Sequence, residues 1–291
     1  GYRRYIACLN TNPECEDSSM SPLGRGAPRC APPPLRCTVA PRTNAQGETV
    51  DKKAYARLSV LRDEFKRRVA AWTEELPDLL GAQEELIREL GEDDYPLQTP
   101  IVYNRALDDI GPGDPIDWIV VADNPGKREQ EAAMNRYLVG QSGRTMENFF
   151  LRELGCELRK RTLIINKTPV HTPKTIQLRA LRSRHPGLRS VLDESQRYMA
   201  GLALELHAAL GAKLWIMGLS ELKPSGIFAP WLEAFSVGAR EAGAAGYVHA
   251  FNHFSMGSFA TDLKRRLREG EPVPEAVARI GREHSYRVFG F

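Results

Sequence analysis

An α/β fold, a three-layer α/β/α sandwich around a mainly four-stranded parallel sheet, is predicted by three observations. Four short apolar runs of strand length are present: Trp118–Ala122 (WIVVA), Thr162–Asn166 (TLIIN), Leu214–Gly218 (LWIMG) and Tyr247–Phe251 (YVHAF). Helical stretches separate them, the alternation expected of parallel strands joined by covering helices. Each run also stops abruptly in polar or turn-forming residues, as a buried strand must when the chain returns to the surface.

Residues 1–50 are rich in Pro, Gly, Ser and Arg with little periodic apolar content, and are expected to form a poorly ordered tail, because they bury too little surface to offset their ordering entropy. Folded structure, one domain over residues 51–291, is expected to start near Asp51. Leu58, Leu61, Phe65, Val69 and Trp72 recur there at three- and four-residue steps, which puts one apolar stripe on a helix. A second helix is expected from Glu84 to Leu90, the pair forming an arm against the main core. The strand and helix alternation begins after Gly111-Pro112-Gly113. Ser195–Leu210 is expected to be a helix, with Met199, Leu202, Leu206 and Leu210 on one face, and a last helix is expected to run through Arg268.

Composition narrows the class. With 291 residues, 42% apolar and 26% charged, the chain can bury a proper core. It contains no apolar run approaching the roughly 20 residues of a membrane helix. A formal charge of +3 neither demands nor excludes a polyanionic partner. Five cysteines, four of them within the first 37 residues, do not read as a disulfide framework, so a reducing, cytoplasmic setting is expected. Cys8, Cys15, Cys30 and Cys37 lack paired zinc spacing, and no metal is expected. Phosphate-loop, dinucleotide and nucleophile-elbow patterns are absent.

In open parallel sheets ligands bind beyond the carboxyl ends of the strands. Strand one ends in Asp123-Asn124-Pro125-Gly126, strand two in Asn166-Lys167-Thr168-Pro169, strand three in Gly218-Leu219-Ser220, and strand four in Asn252-His253-Phe254-Ser255. Each motif alone has an ordinary turn reading; Asn-Pro-Gly, for instance, is a turn with Pro fixing φ and Gly taking positive φ. Side-by-side strands would bring Asn124, Asn166 and His253 to one rim.

These residues resemble the uracil-DNA glycosylase superfamily over approximately Asp117 to Arg268. ADNPG at Ala122–Gly126 is similar to its first motif, with Ala in place of the first glycine, and YLVGQSG at Tyr137–Gly143 partly matches the segment that follows in the thermostable bacterial branch. TLIIN with Asn166 matches the second motif, with Pro169 and Pro173 downstream. NHFSMGS with His253 loosely matches the last. The chain also departs from the family elsewhere: Leu138 stands where the base-stacking phenylalanine is usual, Phe254 replaces a proline, and the stretch from Gly126 to Val139 is slightly longer than in that branch. Lys167-Thr168 occupies the place of a cluster-ligating cysteine and Cys156 does not fit that site, so no iron-sulfur cluster or other cofactor is expected.

The resemblance implies roles. His253 would donate to the base carbonyl oxygen as it becomes anionic, Asn124 would hold the attacking water, and Asp123 would assist that water or stabilise the cationic sugar. Asn166 would read the base edge, its carboxamide offering donor and acceptor. Pro125 and Gly126 would let the backbone approach the flipped nucleotide, Tyr137 or Leu138 would contact the base, and Ser255 would complete the pocket. Met256 or Phe259 would fill the vacated stack, and Lys264, Arg265, Arg266 and Arg268 would contact phosphate. The implied partner is DNA carrying a deaminated or damaged base, acted on by a monomer. An inactive nucleic-acid- or nucleotide-binding protein on the same scaffold is the alternative.

Overall fold

The computed structural model of the protein describes residues 49–92 and 95–291. The expected amino-terminal tail, with Cys8, Cys15, Cys30 and Cys37, lies outside the described residues except for its last two positions.

Helix α1 spans Lys52–Glu75, and Asp51 caps it by accepting from the Ala54 N–H at 2.7 Å. Its expected stripe of Leu58, Leu61, Phe65, Val69 and Trp72 is buried. Helix α2 spans Leu79–Glu89, starting five residues before the expected Glu84. Leu79, Leu86 and Ile87 face inward from α2, so its first turn is held by tertiary packing rather than by a side-chain cap.

Next come β1 (Trp118–Ala122), α3 (Gln141–Glu153), the single turn α4 (Leu158–Arg161) and β2 (Thr162–Asn166). They are followed by α5 (Gln177–Arg184), α6 (Leu188–Leu210), β3 (Lys213–Met217), α7 (Ala229–Glu241) and β4 (Val248–Phe251). Helices α8 (Ser258–Arg266) and α9 (Val273–Phe289) close the chain. The first two strands match expectation residue for residue; β3 is shifted by one residue at both ends and β4 starts one residue later. Helix α8 stops before Arg268 because Gly270 and Pro272 break it, and α9 resumes with Pro274 in its first turn.

All four strands are parallel, in the order β2-β1-β3-β4. Successive side chains point to opposite faces and build two cores. Ile119, Val121, Leu163, Ile165, Leu214 and Ile216 join the buried faces of α1, α2, α5, α6 and α7. Val120, Ala122, Ile164, Trp215, Met217 and Phe251 join those of α3, α8 and α9. The molecule is therefore a three-layer α/β/α sandwich. The arm belongs to the first of these layers: Phe65 and Trp72 of α1 meet Tyr198 of α6 at ring separations of 6.1 and 5.6 Å.

Strand order reverses around β1, since β2 is laid to one side and β3 to the other. The carboxyl ends of β1 and β3 thus flank the switch point where open sheets leave a crevice.

Candidate functional site

At the switch point lies a buried charge pair. Lys167, the first residue after β2, is fully buried, and its Nζ donates to Asp123 Oδ1 at 2.6 Å and to the Met217 carbonyl at the end of β3. The ammonium also lies 5.0 Å from the Phe228 ring centroid and 5.9 Å from that of Trp231. Gly218 makes room for the acid. A Cβ there would sit 2.2 Å from Asp123 Oδ1, and its φ of +81° is one that side chains resist. Asp123 therefore lies across the end of β3, toward β4.

His253 follows β4 and feels this pair. Burial pushes its imidazole below the ordinary value, while Asp123 pulls upward and Lys167 pushes further down. The Ser255 backbone N–H donates to His253 Nδ1 at 3.1 Å, with Ser255 Oγ 2.9 Å from the same nitrogen. A backbone amide can only donate, so Nδ1 is the acceptor and the neutral ring carries its proton on Nε2. His253 is thus a neutral hydrogen-bond donor, and Ser255 sets its tautomer.

Asn124 is half-buried and held on both sides. Its Nδ2 donates to the Thr172 hydroxyl at 3.0 Å, the Thr172 carbonyl at 3.2 Å and the Pro125 carbonyl at 3.3 Å, while Oδ1 accepts from the Thr175 hydroxyl at 2.9 Å. One lone pair on Oδ1 stays open. The Pro125 carbonyl also accepts from Nδ1–H of the buried His171 at 2.8 Å, and His171 Nε2 pairs with the Tyr95 hydroxyl at 2.9 Å. Gly126 departs from expectation, because its φ is not positive. A Cβ there would meet nothing within 4 Å, so the fold itself does not require this glycine.

Asn166 is fully buried; its Oδ1 has no hydrogen-bond partner, and its Nδ2 reaches only the Glu129 carboxyl, in imperfect geometry. A buried carbonyl oxygen left unpartnered costs about 1–3 kcal/mol. Its neighbour is Glu129, a buried carboxyl that accepts from the Gly126 N–H at 3.3 Å and from the Leu138 N–H. Burial raises Glu129 to about 7, against the lowering effects of those amides, Arg159 and the nearby Asn166 carboxamide. Gln130 pins the adjoining turn, bonding the Pro96 and Lys127 carbonyls and the Gln98 N–H.

The expected base contacts at Tyr137 and Leu138 need correction. Tyr137 is fully buried, its hydroxyl donating to the Val102 carbonyl at 2.5 Å, which leaves no ring face at the surface. Leu138 is buried in a left-handed bend with φ 54°, its carbonyl held by Arg159 Nη2 at 2.5 Å. The YLVGQSG motif has a packing cause: a Cβ on Gly143 would fall 1.5 Å from the Leu138 carbonyl oxygen.

Beyond β4, Met256 is fully exposed with φ 52°, whereas Phe259 is buried and stacked on Phe254 at 4.1 Å. Phe259 is therefore a core ring and Met256 alone keeps the shape of a wedge. A cleft of about 270 Å³ lies beside it, lined by Gln141, Thr145, Phe149, Phe254, Met256 and Phe259 among others. The basic cluster is partly spent. Arg265 and Arg266 both pair with Asp262, Arg266 and Arg279 share Glu283, and Lys264 is exposed without an ion pair among the described residues.

The structure thus sets Asp123, Asn124, Asn166 and His253 at one carboxyl rim and couples Asp123 to His253. It adds Lys167, Glu129, Gly218, Thr172 and Thr175, which sequence reasoning missed. Gly218 and Lys167 left a signal, as residues at the ends of strands, without their roles being legible. Among the described residues no group of His, Cys, Asp and Glu side chains is arranged to hold a metal, and no helix is long and apolar enough to cross a membrane.

Fold and site together define an α/β protein whose polar groups converge at the switch point of a parallel sheet. No protein-family model matches the chain, and no curated protein matches its sequence.

Proposed function

We propose that the protein is a DNA glycosylase that hydrolyses the N-glycosidic bond of uracil or a related deaminated base, by base flipping and water attack. The observation that carries this reading is the buried Asn166 carboxamide, its Oδ1 without a partner, at the same rim as a neutral histidine donor and an ionic Asp123–Lys167 pair.

Cleaving such a bond develops positive charge on the sugar and negative charge on the base. Asp123 supplies negative charge to the sugar side. His253 Nε2–H donates to the base carbonyl oxygen as it becomes anionic. Asn124 holds the attacking water through its open Oδ1 lone pair, with Thr172 and Thr175 fixing the carboxamide. Asn166 reads the base edge, and its unmet Oδ1 gains a partner when a base enters. Entry requires the residues that cover Asn166 to move.

A second reading, a nucleic-acid-binding protein without catalysis, is favoured by the full engagement of Asn124 Nδ2 and by the burial of Tyr137. One assay separates them. Purified protein is incubated with oligonucleotides carrying uracil, hypoxanthine or xanthine, and abasic sites are cleaved with alkali. Strand scission that falls about 10²- to 10³-fold in His253→Ala, and also falls in Asn124→Ala, supports the enzyme. Scission surviving both substitutions refutes the assignment, and binding without scission selects the second reading.

A further inference from the structure

Resting on the reading of the carboxyl rim as a DNA site, we infer that Arg179, Arg182 and Arg189 form a phosphate pocket for the strand that carries the target base, two or three nucleotides away from that base. The pocket is a cavity of about 360 Å³ lined by these three arginines, Ser183 and Ile227. It lies between α5, the first turn of α6 and the loop from β3 to α7. Like charges converge there with few partners. Arg179 engages only its Nη2, which donates to Glu221 Oε2 at 2.6 Å and to the Ser225 carbonyl at 3.0 Å. Arg182 is half-buried, and the nearest carboxylate oxygen paired with it, Asp193 Oδ1, is 3.8 Å away, beyond hydrogen-bond distance. That oxygen is itself buried without a hydrogen-bond partner. Arg189 is exposed and has no ion pair among the described residues. Lys223 adds a further positive charge that acts on Glu221, so two carboxylates answer four cations in this group.

A guanidinium stays charged and presents its N–H groups in a planar fork that matches phosphate oxygens. Three such forks around one cavity suit a tetrahedral anion, and Ile227 gives the cavity one apolar wall, which suits the sugar beside it. The chain also fixes where the pocket stands. Thr175, whose hydroxyl holds Asn124 Oδ1 at 2.9 Å, runs straight into α5. Arg179 and Arg182 follow Thr175 by four and seven residues, about 6 and 10 Å along a helix at roughly 1.5 Å per residue. A stacked strand advances roughly 3.4 Å per nucleotide, so these cations meet the second or third phosphate from the nucleotide held at Asn124. A phosphate contact carries no sequence information and sets the register of the strand on the rim. The pocket thereby delivers the target nucleotide to Asn124 without touching the base.

Salt dependence tests the pocket. A fluorescent 15-nucleotide thymine strand with one central 2′-fluoro-2′-deoxyuridine, which resists excision, is titrated by anisotropy across a series of salt concentrations. Wild type is compared with Arg189→Gln, with the double variant Arg182→Gln/Arg189→Gln, and with Lys160→Gln. Lys160 is exposed and immediately precedes β2, at the opposite end of the sheet, and controls for the loss of any one charge. Both arginine variants are expected to bind at least fivefold more weakly at low salt, and the double variant to show a slope of log affinity against log salt shallower by about 0.7, the value of one phosphate on a single strand. Lys160→Gln is expected to match wild type. An uncharged methylphosphonate at one linkage, two or three nucleotides from the central base, is expected to weaken wild type to the level of the double variant and to leave the double variant unchanged. Equal slopes and affinities in wild type and the arginine variants, or an equal loss in Lys160→Gln, overturn the inference. Inorganic phosphate measured by calorimetry adds one outcome: binding to wild type alone, with equal strand slopes, makes this a small-anion site and overturns the strand proposal. If the double variant does not fold, Arg189→Gln decides, because it alters an exposed group. Scission of a uracil oligonucleotide reports on the glycosylase reading separately, and its absence removes that reading while the strand titration still decides the pocket. A wild type that does not bind the strand overturns both.

Discussion

At the scale of single residues, the site depends on atoms that are missing as much as on those present. Gly218 is the clearest case, because the Asp123 carboxylate occupies the space of its absent side chain. Gly218→Ala is expected to cost about 1–3 kcal/mol from backbone strain and to displace Asp123 from its position over β3. Urea unfolding and the uracil assay check this together, and unchanged values in both would mean that Asp123 does not need this gap. Ser255 acts as economically: one backbone N–H decides that His253 presents a donor rather than an acceptor.

At the scale of elements, Lys167 ties three strand ends together. It follows β2, pairs with the acid that follows β1, and donates to the last carbonyl of β3. Lys167→Met keeps most of the volume and leaves Asp123 without its partner. A stability loss of about 3–5 kcal/mol is expected, the usual consequence of stranding one member of a buried pair. The same substitution removes the positive charge that pushes His253 down, so the His253 midpoint is expected to rise. Imidazole signals followed through a pH titration test that second effect, and an unmoved midpoint would show that Lys167 serves packing only.

At the scale of the whole molecule, buried titratable groups make stability depend on pH. Burial holds His171 and His249 down to about 4, below their ordinary 6.5. The unfolded chain therefore takes up protons first as pH falls. Their contribution is complete above about pH 6.5 and is lost toward pH 4, roughly 3 kcal/mol for each. Glu129 has the opposite sign. Raised from 4.5 to about 7, it stabilises below pH 4.5, and that contribution is lost as pH rises toward 7. Glu129 thus offsets one histidine during acidification, and Glu129→Gln is expected to lose stability more steeply than wild type between pH 7 and 4.5. Urea titrations at pH 7.5, 6 and 5 measure the slopes, and parallel slopes would contradict the raised Glu129.

The periodicity of apolar residues was enough to determine the strands and part of each helical layer. The α1 stripe from Leu58 to Trp72, the strands at Trp118 and Thr162 and the Met199–Leu210 face all follow from burial patterns local to the chain. It also placed Asp123, Asn124, Asn166 and His253 at strand ends, because parallel strands deliver their carboxyl termini to one rim. Helices α7 and α9 escaped notice, since Trp231, Phe235 and Ile280 are buried on faces that neighbouring elements define. Only the tertiary structure decided that Tyr137 is a core ring, that Asp123 pairs with Lys167 across 44 positions of sequence, and that Glu129 turns inward to Asn166. Those outcomes depend on which groups share a dry interior, where desolvation and charge are felt over a few ångströms of space.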